Sequence, residues 1–265
     1  MKGFALRVLY LTSAGMLLYA FAQRTEYPTP SVREEQKIVV DGVTETWRLQ
    51  WTAVPEPTCE AGDSGWQTCP CMGFAYGEAG DLFLVRLRDG VEIDRLHLTP
   101  FFTDGSGKAQ VQRWQADFDN DAKDYKQDEF PALVAKRPTV QVMHFGDYNH
   151  DLRANEFYLQ TESVACGKNA GIVIGLTKGV PRLHAFSAAS NRENPLVLYK
   201  REWEAVRTAK GAVDILDWAC GDHGSDTETR LRLHWTPEGL DGVRRQYTCP
   251  ADGAPRRLIH EERLR

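Results

Sequence analysis

Short apolar runs punctuated by turn residues dominate the chain, and several alternate between apolar and polar positions with a period of two. "KIVVDGVTETWRLQW", "DLFLVRLRDGVEIDRLHLTPFF", "TVQVMHF", "EFYLQT", "AGIVIGL", "PRLHAF" and "TRLRLHW" are rich in Val, Ile, Leu and aromatic residues, with Gly, Asp, Asn or Pro between them. Strands place successive side chains on opposite faces, so this spacing predicts a mainly β protein. Asp89-Gly90, between two alternating runs, predicts a hairpin, and "EGLDGVRRQYTC" holds another Asp-Gly pair at Asp241-Gly242.

One segment has helical spacing. Asn194-Pro195 supplies a cap followed by Pro, and "LVLYKREWEAVRTAKG" sets Tyr199, Trp203 and Val206 on one face before Gly211. One short helix near residues 196–209 is predicted, with those side chains buried as core anchors. "TCEAGDSGWQTCPC" and "NDAKDYKQDEF" read as loops, and Trp66 in the first is the tryptophan expected to be exposed.

"HFGDYNHD" at 144–151 and "ACGDHGSD" at 219–226 share Gly-Asp followed four residues later by Asp, 75 residues apart. That separation suits two propeller blades, and a β-sandwich with long loops accounts for the same strands. The fold class is therefore propeller-like or β-sandwich. No stretch reads as a linker, so residues 23–265 are expected to form a single mainly-β domain.

The N-terminus changes the picture by setting a compartment. Lys2 and Arg7 precede the apolar run "VLYLTSAGMLLYAFA", which ends in the small-residue pattern Ala20-Phe21-Ala22. These are the three regions of a secretory signal, so residues 1–22 are expected to be cut off before Gln23. Thr12, Ser13 and Gly15 interrupt a run already shorter than the roughly 20 residues of a membrane span. The mature chain would have 243 of the 265 residues, and its net charge would move from −5 to −7 as Lys2 and Arg7 leave. That acidity argues against nucleic acid or an anionic membrane as partner. The expected location is periplasmic or extracellular.

All six cysteines, Cys59, Cys69, Cys71, Cys166, Cys220 and Cys249, lie in the mature part, which suggests three disulfides. Cys220–Cys249 is the expected pair that a hairpin between its members would support. Cys59–Cys69 and Cys71–Cys166 complete the expectation.

Candidate chemistry concentrates at "GDYNHDLRANEF", residues 146–157. Calcium takes roughly six to eight oxygens from carboxylates, amides, carbonyls and water. Asp147, Asn149 and Asp151 would take positions one, three and five of such a loop. The Arg153 carbonyl would take position seven and Asn155 position nine, with Glu156 closing the shell or orienting a water. A second, weaker run, "DFDNDAKDYKQDEF", places Asp117, Asp119 and Asp121 at the same spacing, with Asp124 and Asp128 in reach. Asp222 to Asp226 form a third, weaker still.

"DYNHDLRANEF" resembles the short calcium loops of dockerin modules and of FG-GAP (integrin-type) propeller repeats. That resemblance implies a structural calcium ion and covers about a dozen residues. "CPCMGFAYGEAGDL", "GDYNHDLRANEFYLQT" and "WACGDHGS" resemble uncharacterised secreted bacterial proteins, which imply no function. Leu152 stands where calcium loops carry the Gly of their sharp turn, and Tyr158 rather than Glu holds position twelve, which excludes an EF-hand.

No Gly-x-Ser-x-Gly, His-Glu-x-x-His, phosphate loop or dinucleotide fingerprint occurs, and the seven histidines are scattered. His144, His150 and His223 flank the Asp loops, and the neighbouring Asp222, His223 and Ser225 are too close in the chain to favour a triad. No catalytic residue is assigned. The expected function is a non-catalytic, disulfide-stapled β domain with a structural calcium loop and an unidentified carbohydrate or protein partner. A secreted hydrolase or a carbohydrate-binding protein is the alternative.

Overall fold

The computed structural model describes residues 29–264 except 104, 165–167, 237–238 and 251–253, with backbone alone at 223. The expected signal, residues 1–22, lies outside them. Among the described residues no helix is long and apolar enough to cross a membrane.

Four sheets carry the described residues. The first pairs β1 (Ser31–Val40), β2 (Val43–Trp51), β5 (Leu82–Arg88) and β6 (Val91–His97) in that order, all antiparallel. Asp41-Gly42 and Asp89-Gly90 both adopt left-handed φ and close its two hairpins, so the second pair does what its sequence predicts. The alternation of β2 buries Glu45, Trp47, Leu49 and Trp51 on one face.

The second sheet is built on β9 (Lys168–Thr177), which pairs with β8 (Glu156–Val164) on one side and with β10 (Val180–Ala185) and β13 (Leu198–Tyr199) on the other. It is the middle layer. Ile172, Ile174, Phe157 and Leu159 face Trp47, Leu49 and Leu84 of the first sheet, while Val173 and Tyr158 pack with Trp203, Val206, Leu231 and Leu233 behind. Burial on both faces is why β9 reads as an unbroken apolar run.

The third sheet holds β11 (Ser187–Ala188), β12 (Asn191–Pro195), β14 (Val213–Trp218), β15 (Thr227–Thr236), β16 (Gly239–Thr248) and β17 (Leu258–Arg263). Among the described residues only β11 and β16 pair parallel there. A small fourth sheet joins β3 (Glu56–Thr58), β4 (Gly77–Gly80) and β7 (Ala109–Gln112). The architecture is thus mainly β and sandwich-like, with no closed barrel among the described residues. The two Gly-Asp loops are not structural equivalents: 147–156 leads into β8, whereas 222–224 is a 3-10 turn between β14 and β15.

Several expectations need correction. "TVQVMHF" forms no ladder strand; only an isolated bridge, Trp114–Thr139, touches it. Side chains of β1 replace the ladder: Val142 and Met143 amides donate to Glu34, Arg33 donates to the Val140 carbonyl at 2.6 Å and Gln36 to that of Met143 at 2.7 Å. Asp241-Gly242 lies inside β16 and makes no turn. A Cβ at Gly242 would meet Leu264 Cδ1 at 2.5 Å, so the glycine admits the chain end against the sheet.

The helix α3 runs Lys200–Thr208, starting later than the Asn194-Pro195 signal because the chain first pairs as β12 and β13. Glu202 accepts the Tyr199 amide at 2.9 Å and caps it. Trp203 and Val206 are buried as expected, whereas Tyr199, expected on the same face, is the half-buried N-cap residue ahead of the helix. It is not the one helix: α1 (Phe118–Asp124) takes the first half of the stretch read as a loop, and α2 (Phe130–Val134) starts at its last residue, with turns between them. Trp66 is buried, not exposed, packing between Tyr76 and Phe118 with ring centroids 4.9 Å from each.

Cys220–Cys249 forms, with Cα atoms 5.5 Å apart, tying the turn after β14 to the end of β16. The pairing at the other end is Cys59–Cys71, which overturns both Cys59–Cys69 and Cys71–Cys166. Pairing of Thr58 with Gly77 draws Cys59 beside the 3-10 turn that begins at Cys71. Cys69 is instead free, its sulfur 2.8 Å from the Val164 carbonyl, and Cys166 lies outside the described residues.

Candidate functional site

The loop before β8 is closed at its base by reciprocal backbone hydrogen bonds between Gly146 and Glu156, at 2.8 and 3.3 Å. Inside it, Asp and Asn side chains accept from amides further along. Asp147 takes the amides of Asp151 and Leu152, both at 3.1 Å. Asn149 Oδ1 takes the Asp151 amide at 2.9 Å, and Asp151 Oδ1 takes that of Arg153 at 3.1 Å. Asp151 Oδ2 reaches out to the Lys178 amide, 2.9 Å away in the turn after β9. Within the loop these short polar side chains stabilise the curl locally, and the Lys178 contact fastens it to the turn after β9.

Leu152, standing in the place of Gly, adopts φ +71° and His150 φ +59°. The sharp turn therefore forms with a leucine in the left-handed region, and that residue is 94 % exposed. Arg153 pairs outward with Asp41 at 2.7 Å, binding the loop to the first hairpin. His150 is held by the Val206 carbonyl at 2.8 Å, and His144 is exposed.

Two residues at the loop's end are unusual. Asn155 is 1 % exposed, and among the described residues neither its side-chain nitrogen nor its oxygen has a hydrogen-bond partner. Glu156 is completely buried. Its carboxyl accepts from the Tyr148 amide at 3.0 Å and from Asn149 Nδ2 at 3.3 Å. Burial drives its pKa up to about 9; the Tyr148 hydrogen bond opposes this, and the charges of Asp151 and Asp147 add to it.

The rest of the chain treats buried carboxylates differently. Glu45 holds Arg86 at 2.9 Å and Arg88 at 2.8 Å. Glu78 is bound by Arg33 and Arg113, Asp121 by Arg137, and Glu228 by Arg230 and Arg256. Among the described residues only Glu156 and Glu202 are buried carboxylates without such a partner. Glu202 is a helix cap raised to about 7, chiefly by burial.

The weaker candidate run is a helix start. Asp117 caps α1, Asp119 lies in its first turn, and Asp121 is buried on Arg137 Nη2 at 2.5 Å. Asp124 ends the helix and holds the Gln127 side chain, and Asp128 is exposed. In the third loop Ser225 donates to the Thr227 carbonyl at 2.8 Å, and the His223 side chain lies outside the described residues. Among the described residues no three His, Cys, Asp or Glu side chains are drawn together as a ready-made metal cage. At 147–156 the carboxylates are turned toward backbone amides.

A pocket of about 320 Å³ lies beyond the loop, between β7, the 140–144 segment, β8 and α3. Tyr148 belongs to both features. Its amide holds Glu156, its ring lines the pocket, and its hydroxyl donates to Glu204 at 3.1 Å. Pattern reading missed this pocket because its walls come from separate segments, each ordinary in isolation. No family model matches this chain, and neither the curated proteins nor the solved structures contain a match to it.

Proposed function

We propose that this is an exported, non-catalytic β protein whose 146–156 loop takes up calcium as a structural ion. One observation carries the reading: Glu156 is fully buried beside Asp147 and Asp151, with no arginine bound to it, in a chain that arms four other buried carboxylates with arginine. A calcium ion would supply the positive charge that this carboxylate lacks. The donor set fits: oxygen from Asp147, Asn149, Asp151, the Arg153 carbonyl, Asn155 and Glu156, with no sulfur or imidazole, is hard-cation chemistry. Of these oxygens, that of the buried Asn155 amide has no hydrogen-bond partner among the described residues. Since the carboxylates start out on backbone amides, binding must turn them inward, which points to the submillimolar-to-millimolar affinity of extracellular modules, on the order of 10⁻⁴–10⁻³ M.

Bound calcium stabilises the folded chain alone, so thermal unfolding tests the proposal. The oxidised mature chain is melted in chelator and in excess calcium, beside Asp147→Ala and Asp151→Ala. The expected result is a calcium-dependent rise in midpoint that both variants lose. An unchanged wild-type midpoint would leave the loop as a hydrogen-bonded turn and sink the proposal.

A further inference from the structure

The pocket beside the Asp loop is lined by five carboxamides from four parts of the chain: Gln110 and Gln112 of β7, Gln141, Gln160 of β8 and Asn169 of β9. Three of them are held in place by backbone carbonyls. Gln112 Nε2 donates to Trp114 O at 3.0 Å, Gln141 Nε2 to Met143 O at 3.1 Å and Gln160 Nε2 to Gly73 O at 2.8 Å. Fixing the nitrogen orients the amide plane and leaves its carbonyl oxygen as an acceptor with little rotamer entropy left to lose. Asn169 Oδ1 is buried with no hydrogen-bond partner among the described residues. A buried acceptor without a donor is costly unless something else supplies the hydrogen.

Apolar surface accompanies these amides. The aromatic residues Phe74, Tyr148 and Tyr158 line the same pocket and are buried. Charge nearly cancels within it: Lys200 contributes the cation and Glu204 the carboxylate, which is already engaged by the Tyr148 hydroxyl and by Arg207 Nε at 2.8 Å. The volume falls at the small end of ligand sites, which run from roughly 300 to 1,000 Å³.

We infer that this pocket binds a neutral saccharide of one or two rings, through amide hydrogen bonds to hydroxyls and ring contact with its C–H face. Hydroxyls are donors and acceptors at once, which matches uncharged carboxamides better than an anion, a cation or a hydrocarbon would. Flat aromatic surface suits the apolar face of a pyranose. The pocket binds and does not cleave. Glycoside hydrolysis uses two carboxyl groups flanking the bond, and Glu204 is the single carboxylate on this wall. Although Tyr148 links the two features, the saccharide site stands on its own residues and does not require the calcium reading.

The test is saturation-transfer NMR and calorimetry on the mature chain with glucose, galactose, mannose, N-acetylglucosamine, maltose and cellobiose, each at about 10 mM, where even a millimolar complex fills. Glucuronate and glucosamine serve as charged controls. Each titration is run in calcium and in chelator, so that a failure of the ion reading does not mask the sugar. At least one neutral sugar is expected to bind in one of the two buffers. Gln141→Ala, whose side chain is exposed at the rim, and Asn169→Ala should each weaken it by about tenfold or more, with unfolding midpoints near wild type for Gln141→Ala. Binding of no neutral sugar, preference for a charged control, undiminished affinity in both variants, or release of glucose from maltose or cellobiose would each overturn the assignment.

Discussion

The backbone amide of Tyr148 donates to the buried Glu156 carboxyl at 3.0 Å, so the residue that walls the pocket is held by the acid at the centre of the Asp loop. Glu156 titrates near 9 in the folded chain against about 4.5 when exposed. Between those values the folded state binds a proton that the unfolded state lacks, so stability without metal falls as pH rises through this window. Calcium must displace the same proton, and its affinity should increase over the same window. Glu156→Gln in chelator at pH 8 is expected to be more stable than wild type by about 1 kcal/mol or more, and to lose the calcium response. Denaturant melts across pH check both; a wild-type stability that climbs from pH 5 to 9 would contradict them.

Glu45 gives the opposite sign. Burial pushes its pKa up, but hydrogen bonds from Arg86, Arg88 and Trp47 outweigh this and hold it below the usual value. Its contribution is present above about pH 4.5 and is lost as pH falls through the lowered folded pKa. Arg86→Met would strand this carboxylate and free the Pro181 carbonyl that Arg86 also holds at 2.6 Å. The expected cost is about 3–5 kcal/mol, read as a drop in denaturation midpoint; a loss under about 1 kcal/mol would show that Arg88 alone suffices.

Leu152 stores backbone strain with no packing in return. At φ +71° and 94 % exposed, its side chain crowds its own backbone and touches little. Leu152→Gly is expected to stabilise the fold by about 0.5–1 kcal/mol, relieved strain outweighing the added flexibility of the unfolded chain. The midpoint should rise by roughly 2–3 °C, and calcium affinity should not fall.

The Cys220–Cys249 bridge closes a separation of 29 residues. Replacing both with Ser is expected to cost about 3 kcal/mol. Peptide mapping of the unreduced chain should also recover Cys59 joined to Cys71; recovery of Cys59 joined to Cys69 would contradict the structure.

Local pattern was enough wherever neighbours in sequence decide the outcome. Asp89-Gly90 turns because both residues accept left-handed φ, Trp203 and Val206 are buried because helical spacing puts them on one face, and Cys220 meets Cys249 because a hairpin lies between them. The curl of Asp147 to Arg153 is local too, since its side chains bond amides two to five residues on. Tertiary contact decided the rest. Residues 139–145 look like a strand, yet Glu34 and Gln36 take their backbone groups from 107 to 109 residues away. Asp241-Gly242 looks like a turn, yet Leu264 needs the space beside that glycine. The choice of which buried carboxylate receives an arginine depends on long-range packing, and so does the gathering of Gln112, Gln141, Gln160 and Asn169 around one pocket. Periodicity encodes which face a side chain takes, but what faces it across the core is settled only when the layers close.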